Sequence, residues 1–194
     1  MNVKLQTGDA LLVTDVQRDF LPHGNLAVNG GETVVPALNR YIALARAADL
    51  PIFASRDWHP KKHCSFKAQG GPWPEHCVAG TPGAAFPEGL QLPPETIIID
   101  KATTEDKEAY SSFAGTTLAE QLRARGTKRV LVGGLCTDYC VLNTVLDARR
   151  EGFEVLLLED AIRAVNLNAG AEQRAKQEMK AQGALPVHYE EVTA

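Results

Sequence analysis

The sequence predicts an α/β protein, a three-layer α/β/α arrangement built on a mainly parallel six-stranded sheet. Two observations carry that expectation. Short β-branched apolar runs alternate along the chain with stretches of helical periodicity, which is the pattern of strand, crossover helix and next strand. Several of those runs are apolar at consecutive positions, as a strand covered on both faces must be. Crossovers between parallel strands are right-handed, so the helices fall on both faces of the sheet.

Taken in order, the first strand is expected at 10–14 and a helix at 33–48, where Val35, Leu38, Ile42 and Ala45 form one apolar stripe. Strands follow at 51–55 and 96–99, then a helix at 116–125 and a strand at 129–132. A helix at 138–150, a strand at 154–158, a helix at 171–182 and a strand at 185–188 complete the series. Gly126, Gly152 and Gly183 mark helix ends, each a few residues before a new strand. One segment, 58–94, has no periodicity and holds seven of the eleven prolines, three of the five histidines and two of the four cysteines. A loop this long inside a compact unit is usually functional. With no repeat or linker dividing the chain, the expected organisation is one domain, 1–194, with an insertion at about 57–94.

The chain has 194 residues, 44% of them hydrophobic and 23% charged. This is a globular composition, and area scaling predicts a folded surface of about 9,000 Å². A net charge of −4 argues against nucleic acid or anionic lipid as the main partner. No apolar run approaches the ~20 residues that span a bilayer, and the first residues lack the basic start and cleavage site of a secretory signal, so a cytoplasmic location is expected. Cys64, Cys77, Cys136 and Cys140 are too few for a disulfide framework and are expected as free thiols, metal ligands or reactive groups.

Ligands of an open parallel sheet bind beyond the carboxyl ends of its strands. There the sequence places Asp15, then Arg56-Asp57-Trp58-His59, then Asp100-Lys101, then the run from Gly133 to Cys140 leading into a helix. A carboxylate, an ammonium and a thiol are thereby directed to one crevice. A helix start and a neighbouring Lys101 would both favour a Cys140 thiolate, which makes Cys140 a candidate nucleophile. Asp57 and His59, at i and i+2 of an extended segment, point the same way and with His76 make a two-histidine, one-carboxylate set suited to Zn²⁺, Fe²⁺ or Mn²⁺. His63 is a candidate fourth ligand. Two other readings stay open: a closed structural zinc site from His59, His63, Cys64, His76 and Cys77, and a thiol switch between Cys136 and Cys140.

The segments LLVTDVQRDF, SRDWHPKKHCSF, GGPWPEHCVAGTPGA, DKATTEDKEAYSSF and GGLCTDYCV resemble, in that order and over nearly the whole chain, those of the nicotinamidases (pyrazinamidases) among the isochorismatase-like cysteine hydrolases. The resemblance implies the isochorismatase-like hydrolase fold and hydrolysis of nicotinamide to nicotinate and ammonia through a thioester, with pyrazinamide as a further substrate. It makes Cys140 the nucleophile, Asp15 the general acid/base and Lys101 the third member of a triad. The backbone N–H groups of Cys136 and Cys140 become the oxyanion donors. Asp57, His59 and His76 become ligands of one divalent ion, zinc first with iron or manganese as alternatives, and Ser65 holds a metal-bound water. Phe20, Trp73, Tyr110 and Tyr139 match the positions lining the pyridine pocket. A non-proline cis peptide is implied between Leu135 and Cys136, where this chain has a cysteine in place of the family's usual alanine. The expected partner is the small-molecule substrate, with neither nucleic acid nor membrane, and a homo-oligomer is compatible with the family.

Overall fold

The computed structural model describes residues 2–194, so Met1 of the expected 1–194 domain lies outside the described residues. The strands are β1 (Val3–Lys4), β2 (Asp9–Thr14), β3 (Ile52–Asp57), β4 (Ile97–Lys101), β5 (Arg129–Leu135), β6 (Glu154–Arg163), β7 (Ala184–Val187) and β8 (Val192–Thr193). The α-helices are α1 (Val34–Ala47), α2 (Leu118–Ala124), α3 (Leu142–Arg150) and α4 (Ala171–Ala181). Six strands form one parallel sheet in the order β4-β3-β2-β5-β6-β7. β1 and β8 pair separately, also in parallel. Strands of two residues carry no periodicity, which is why the sequence did not announce them.

Strand alternation divides the interior in two. Leu11 and Val13 of β2, Leu131 of β5 and Leu156 of β6 pack with Leu38, Ile42 and Ala45 of α1. Ala10 and Leu12, Val130 and Val132, and Val155 and Leu157 face the other way, against Leu118 and Leu122 of α2, Val145 of α3 and Met179 of α4. Helices thus cover both faces, giving the three layers. On the edge strands, Ile98 of β4 and Leu185 of β7 are left 39% and 38% exposed. The folded surface is 8935 Å², close to the expectation from chain length.

Three strand ends and one helix start differ from the sequence reading in ways that matter for the site. β3, β4 and β5 run two or three residues past their apolar cores, to Asp57, Lys101 and Leu135. Ladder pairing involves only the backbone, so it continues through the polar residues that end the apolar runs of β3 and β4 and through the two glycines of β5. The expected helix 138–150 is split: Thr137–Val141 forms a π-helical turn, with the Val141 N–H donating to Cys136 O at 3.0 Å, and α3 begins at Leu142. Where β2 and β5 pair, Gly134 sits at φ +128 with its Cα against the partner strand. A Cβ there would fall 2.0 Å from Thr14 O, so only glycine allows the approach.

Candidate active site

Chain order along the sheet reverses at β2, with β3 and β4 on one side and β5 on the other. This is the switch point at which a crevice opens beyond the carboxyl ends. Asp15 follows β2 directly, Asp57 ends β3, Lys101 ends β4, and Cys140 lies in the turn after β5. Asp57 and Lys101 are register partners in the parallel ladder, so the sheet itself sets them side by side. Three residues here adopt left-handed backbone without being glycine: Asp15 at φ 49, Cys77 at φ 47 and Ala102 at φ 51. Such conformations collect at functional sites, where surrounding structure holds them.

The Lys101 ammonium, fully buried, is the hub. Its Nζ lies 3.0 Å from Asp15 Oδ2, 2.5 Å from Asp57 Oδ1, 2.9 Å from Ala109 O and 3.7 Å from Cys140 Sγ. The flanking carboxylates Asp15 and Asp57 hold its pKa well above the ordinary lysine value despite its burial. Asp15 is pushed up to about 6, chiefly by burial, with Lys101 opposing. Asp57 is also buried, yet its pKa is lowered, with Lys101 foremost among the groups that favour its anion and His59 and His76 assisting. Burial raises the Cys140 thiol well above its usual range, with Lys101 again opposing and Asp15 and Asp57 reinforcing. This corrects one expectation: helix start and lysine do not leave a resting thiolate, because desolvation outweighs them.

Asp57, His59 and His76 converge, with ligand atoms within 4.8 Å of one another, all three buried. Loop pairing brings His76 back over the 16 residues that separate it from His59. The His59 N–H donates to Cys77 O at 3.1 Å and the Ala79 N–H to His59 O at 2.8 Å, while the Cys77 N–H donates to the Asp19 carboxylate at 2.7 Å. Tautomers follow from the acceptors. His59 Nδ1 faces Ala102 O at 3.3 Å and His76 Nδ1 faces Pro74 O at 2.8 Å. A carbonyl only accepts, so both Nδ1 atoms carry the proton and both Nε2 lone pairs are free. Burial lowers His59 to about 4, which leaves it neutral at pH 7 as a ligand must be. One Asp57 oxygen accepts from Lys101, and the other lies 3.7 Å from His59 Nε2. The donor set and its protonation therefore fit a divalent ion. A second cluster, Asp15, Asp57 and Cys140, already holds the Lys101 ammonium at its centre, so a metal ion there would meet a like charge.

His63 does not join as a fourth ligand. Its Nε2 donates to Lys107 O at 2.9 Å and its Nδ1 accepts from Ser65 Oγ at 2.7 Å. Among the described residues Cys64 and Cys77 belong to no metal-capable cluster, so the closed structural zinc site finds no support. All four cysteines are free.

Cys140 and the Asp57, His59 and His76 cluster open into one cleft, lined also by Phe20, Trp73, Tyr110, Tyr139, Leu26 and Val165, with Asp15 and Lys101 buried behind Cys140. The Trp73 ring meets Tyr139 edge-on at 4.9 Å, and its Nε1–H donates to Tyr110 Oη at 3.0 Å. Phe20 lies 5.7 Å from the His76 ring. The sequence reading missed Gln17, whose amide donates to Asp57 O and Ala84 O at 2.8 and 3.0 Å and accepts the Asp57 N–H at 2.8 Å. It also missed Ser55, which donates to Asp15 Oδ1 at 2.7 Å. The Leu135–Cys136 peptide is cis, as the resemblance implied.

The isochorismatase domain model matches residues 9–191. The chain belongs to the isochorismatase family. It is 36% identical to the nicotinamidase of Acinetobacter baylyi, over 94% of this chain and 94% of that protein. It is 39% identical to the nicotinamidase/pyrazinamidase of Mycobacterium tuberculosis, over 81% and 87% of the two chains. Among solved structures, the pyrazinamidase of Pyrococcus horikoshii in complex with zinc superposes with a TM-score of 0.90 at 49% identity, over 94% of this chain and 99% of that one. L. infantum PnC1 in complex with nicotinate gives 0.91 at 37% identity, over the whole of both chains.

Proposed function

We propose that this chain is a nicotinamidase, hydrolysing nicotinamide to nicotinate and ammonia through a thioester on Cys140, with pyrazinamide as a further substrate. The observation that carries the reading is one aromatic cleft shared by Cys140, which is backed by Lys101 and Asp15, and by the Asp57/His59/His76 cluster. The relatives named above, and the two structures holding zinc and nicotinate, support it.

In this mechanism Asp15, ionised near neutral pH, takes the Cys140 proton as sulfur attacks the carboxamide carbon. Lys101, between both groups, stabilises the negative charge as it moves from carboxylate to sulfur. The Cys136 and Cys140 N–H groups receive the oxyanion, an effect of about 3 kcal/mol per donor in comparable acyl transfers. Asp15 then gives its proton to the departing ammonia, and water cleaves the acyl-enzyme with Asp15 as base. Phe20, Trp73, Tyr110 and Tyr139 hold the ring. A divalent ion held by Asp57, His59 and His76, zinc by preference and iron or manganese otherwise, supplies an electrophilic docking point for the ring nitrogen. Ser65, whose hydroxyl proton is committed to His63, keeps its lone pairs for a water on that ion. Residues 1–194 serve this site as one domain, with 57–94 as its metal-binding insertion. Four unpaired thiols suit a cytoplasmic location, no helix among the described residues is long and apolar enough to cross a membrane, and a homo-oligomer is compatible with the reading.

Ammonia release from nicotinamide, with and without a strong chelator, tests the proposal. The expected result is turnover that the chelator removes and added Zn²⁺ restores. Turnover of another small amide or of isochorismate, with none of nicotinamide, would leave the triad standing and move the substrate elsewhere in the family.

A further inference from the structure

Three hydroxyls that line no part of the cleft stand in a row behind Asp15. Ser55 of β3, Ser112 of the segment after β4 and Thr144 of α3 are all fully buried. Ser55 Oγ donates to Asp15 Oδ1 at 2.7 Å, Ser112 Oγ donates to Ser55 Oγ at 2.8 Å, and Thr144 Oγ1 donates to Ser112 Oγ at 3.1 Å. The Ser112 backbone N–H closes the far end, donating to Thr144 Oγ1 at 2.9 Å. Direction is forced from one end: an ionised carboxylate only accepts, so Ser55 donates to it and must itself accept from Ser112, which accepts from Thr144. Every hydroxyl proton therefore points toward Asp15. The other carboxylate oxygen is bare by comparison. Oδ2 has no hydroxyl or amide partner among the described residues; the Lys101 ammonium lies beside it at 3.0 Å, and Asp15 and Cys140 share one cluster.

Resting on the hydrolase reading above, we propose that Ser55, Ser112 and Thr144 are positioning residues. They form a one-way hydroxyl chain that keeps Oδ1 occupied as an acceptor, so that Oδ2 is the atom that takes the Cys140 proton and returns it. In the first step the Sγ–H bond breaks, its electron pair stays on sulfur and an Oδ2–H bond forms. When the adduct collapses, the carbon–nitrogen bond breaks and Oδ2 delivers that proton to the leaving nitrogen. Protonation at Oδ2 leaves Oδ1 a carbonyl oxygen that still accepts from Ser55, so no hydroxyl turns during the cycle. Protonation at Oδ1 would set two donors against each other in the Asp15–Ser55 bond and force at least the Ser55 hydroxyl to turn. A polar array that needs no reorganisation as charge moves is what catalysis by preorganisation requires.

The test is steady-state ammonia release from nicotinamide by the metal-loaded wild type, Ser112→Ala, Thr144→Val, Thr144→Ser and the Ser112→Ala/Thr144→Val double variant. Removing either hydroxyl should lower kcat about three- to tenfold, as expected for loss of support to a charged hydrogen bond, with KM unchanged. Both act only through Ser55, so the double variant should be no slower than the slower single one, and Thr144→Ser should retain wild-type kcat. Wild-type kcat in Ser112→Ala, losses that multiply in the double variant, or a raised KM would overturn the chain. Should Thr144→Val not fold, Ser112→Ala decides alone, since alanine fits within the serine volume. A wild type inactive on nicotinamide but active on another amide overturns the substrate reading only, and the same series on that amide still decides the chain.

Discussion

At Cys140, burial and charge pull in opposite directions, and burial prevails. The thiol rests protonated, so attack depends on a base, and Asp15 with its pKa near 6 is ionised at neutral pH while still basic enough to accept a proton. The sign for activity follows: kcat/KM should fall as pH drops through about 6 and Asp15 protonates. Because Lys101 favours both the Asp15 anion and the Cys140 thiolate, Lys101→Met should shift that limb to higher pH and raise the pH at which Cys140 is alkylated by iodoacetamide. An unmoved profile would remove Lys101 from the site. The two neighbouring thiols should behave differently. Cys140→Ala should abolish turnover yet bind nicotinamide by calorimetry, whereas Cys136→Ala, which contributes only its N–H, should keep most of it. Equal loss in a folded, metal-loaded Cys136→Ala would end the single-nucleophile assignment. These residues were legible because reactive types follow several successive strand ends, and ligands of such a sheet bind beyond those ends. Gln17, Ser55, Ser112 and Thr144 were not, because a hydroxyl or amide is informative only through partners 32 to 67 residues away.

Among the elements, β3 and β4 differ from the long loop in how they place their residues. The ladder register fixes Asp57 against Lys101, and nothing local to either strand would show it. The loop uses backbone bonds at His59 and Cys77 and the Gln17 and Asp19 side chains to carry His76 to its place. It lies over a sheet already packed on both faces, so His76→Ala should strip most bound metal, measured by elemental analysis, and weaken nicotinamide binding while leaving the circular dichroism and unfolding cooperativity of the fold intact. Unfolding of that variant would instead make the ion structural. Gly134 should tolerate nothing. With a Cβ 2.0 Å from Thr14 O at φ +128, Gly134→Ala forces β2 and β5 apart and should cost several kcal/mol in urea melts, on the order of 3 or more for a clash with rigid backbone.

Across the whole molecule, the two interiors on either face of the sheet meet through the same strands, so they should melt together. Leu11→Ala empties space under α1 and Leu12→Ala empties it under the opposite helices. Each should cost about 2–5 kcal/mol, in a single cooperative transition by calorimetry, and two separate transitions would show that the layers fold independently. The sequence by itself determined the class of this fold, since apolar periodicity reports burial, and strands buried on both faces that alternate with amphipathic helices make a helix-covered parallel sheet. It also determined which residue types could do chemistry, and the motifs carried the family. Tertiary structure alone decided the strand order that opens the crevice beside β2, the register that sets Lys101 among Asp15, Asp57 and Cys140, the exclusion of His63 from the ligand set, and the protonation of the thiol at rest. Each of these depends on distance and desolvation between groups far apart in the chain, quantities that a pattern of side chains along one dimension does not contain.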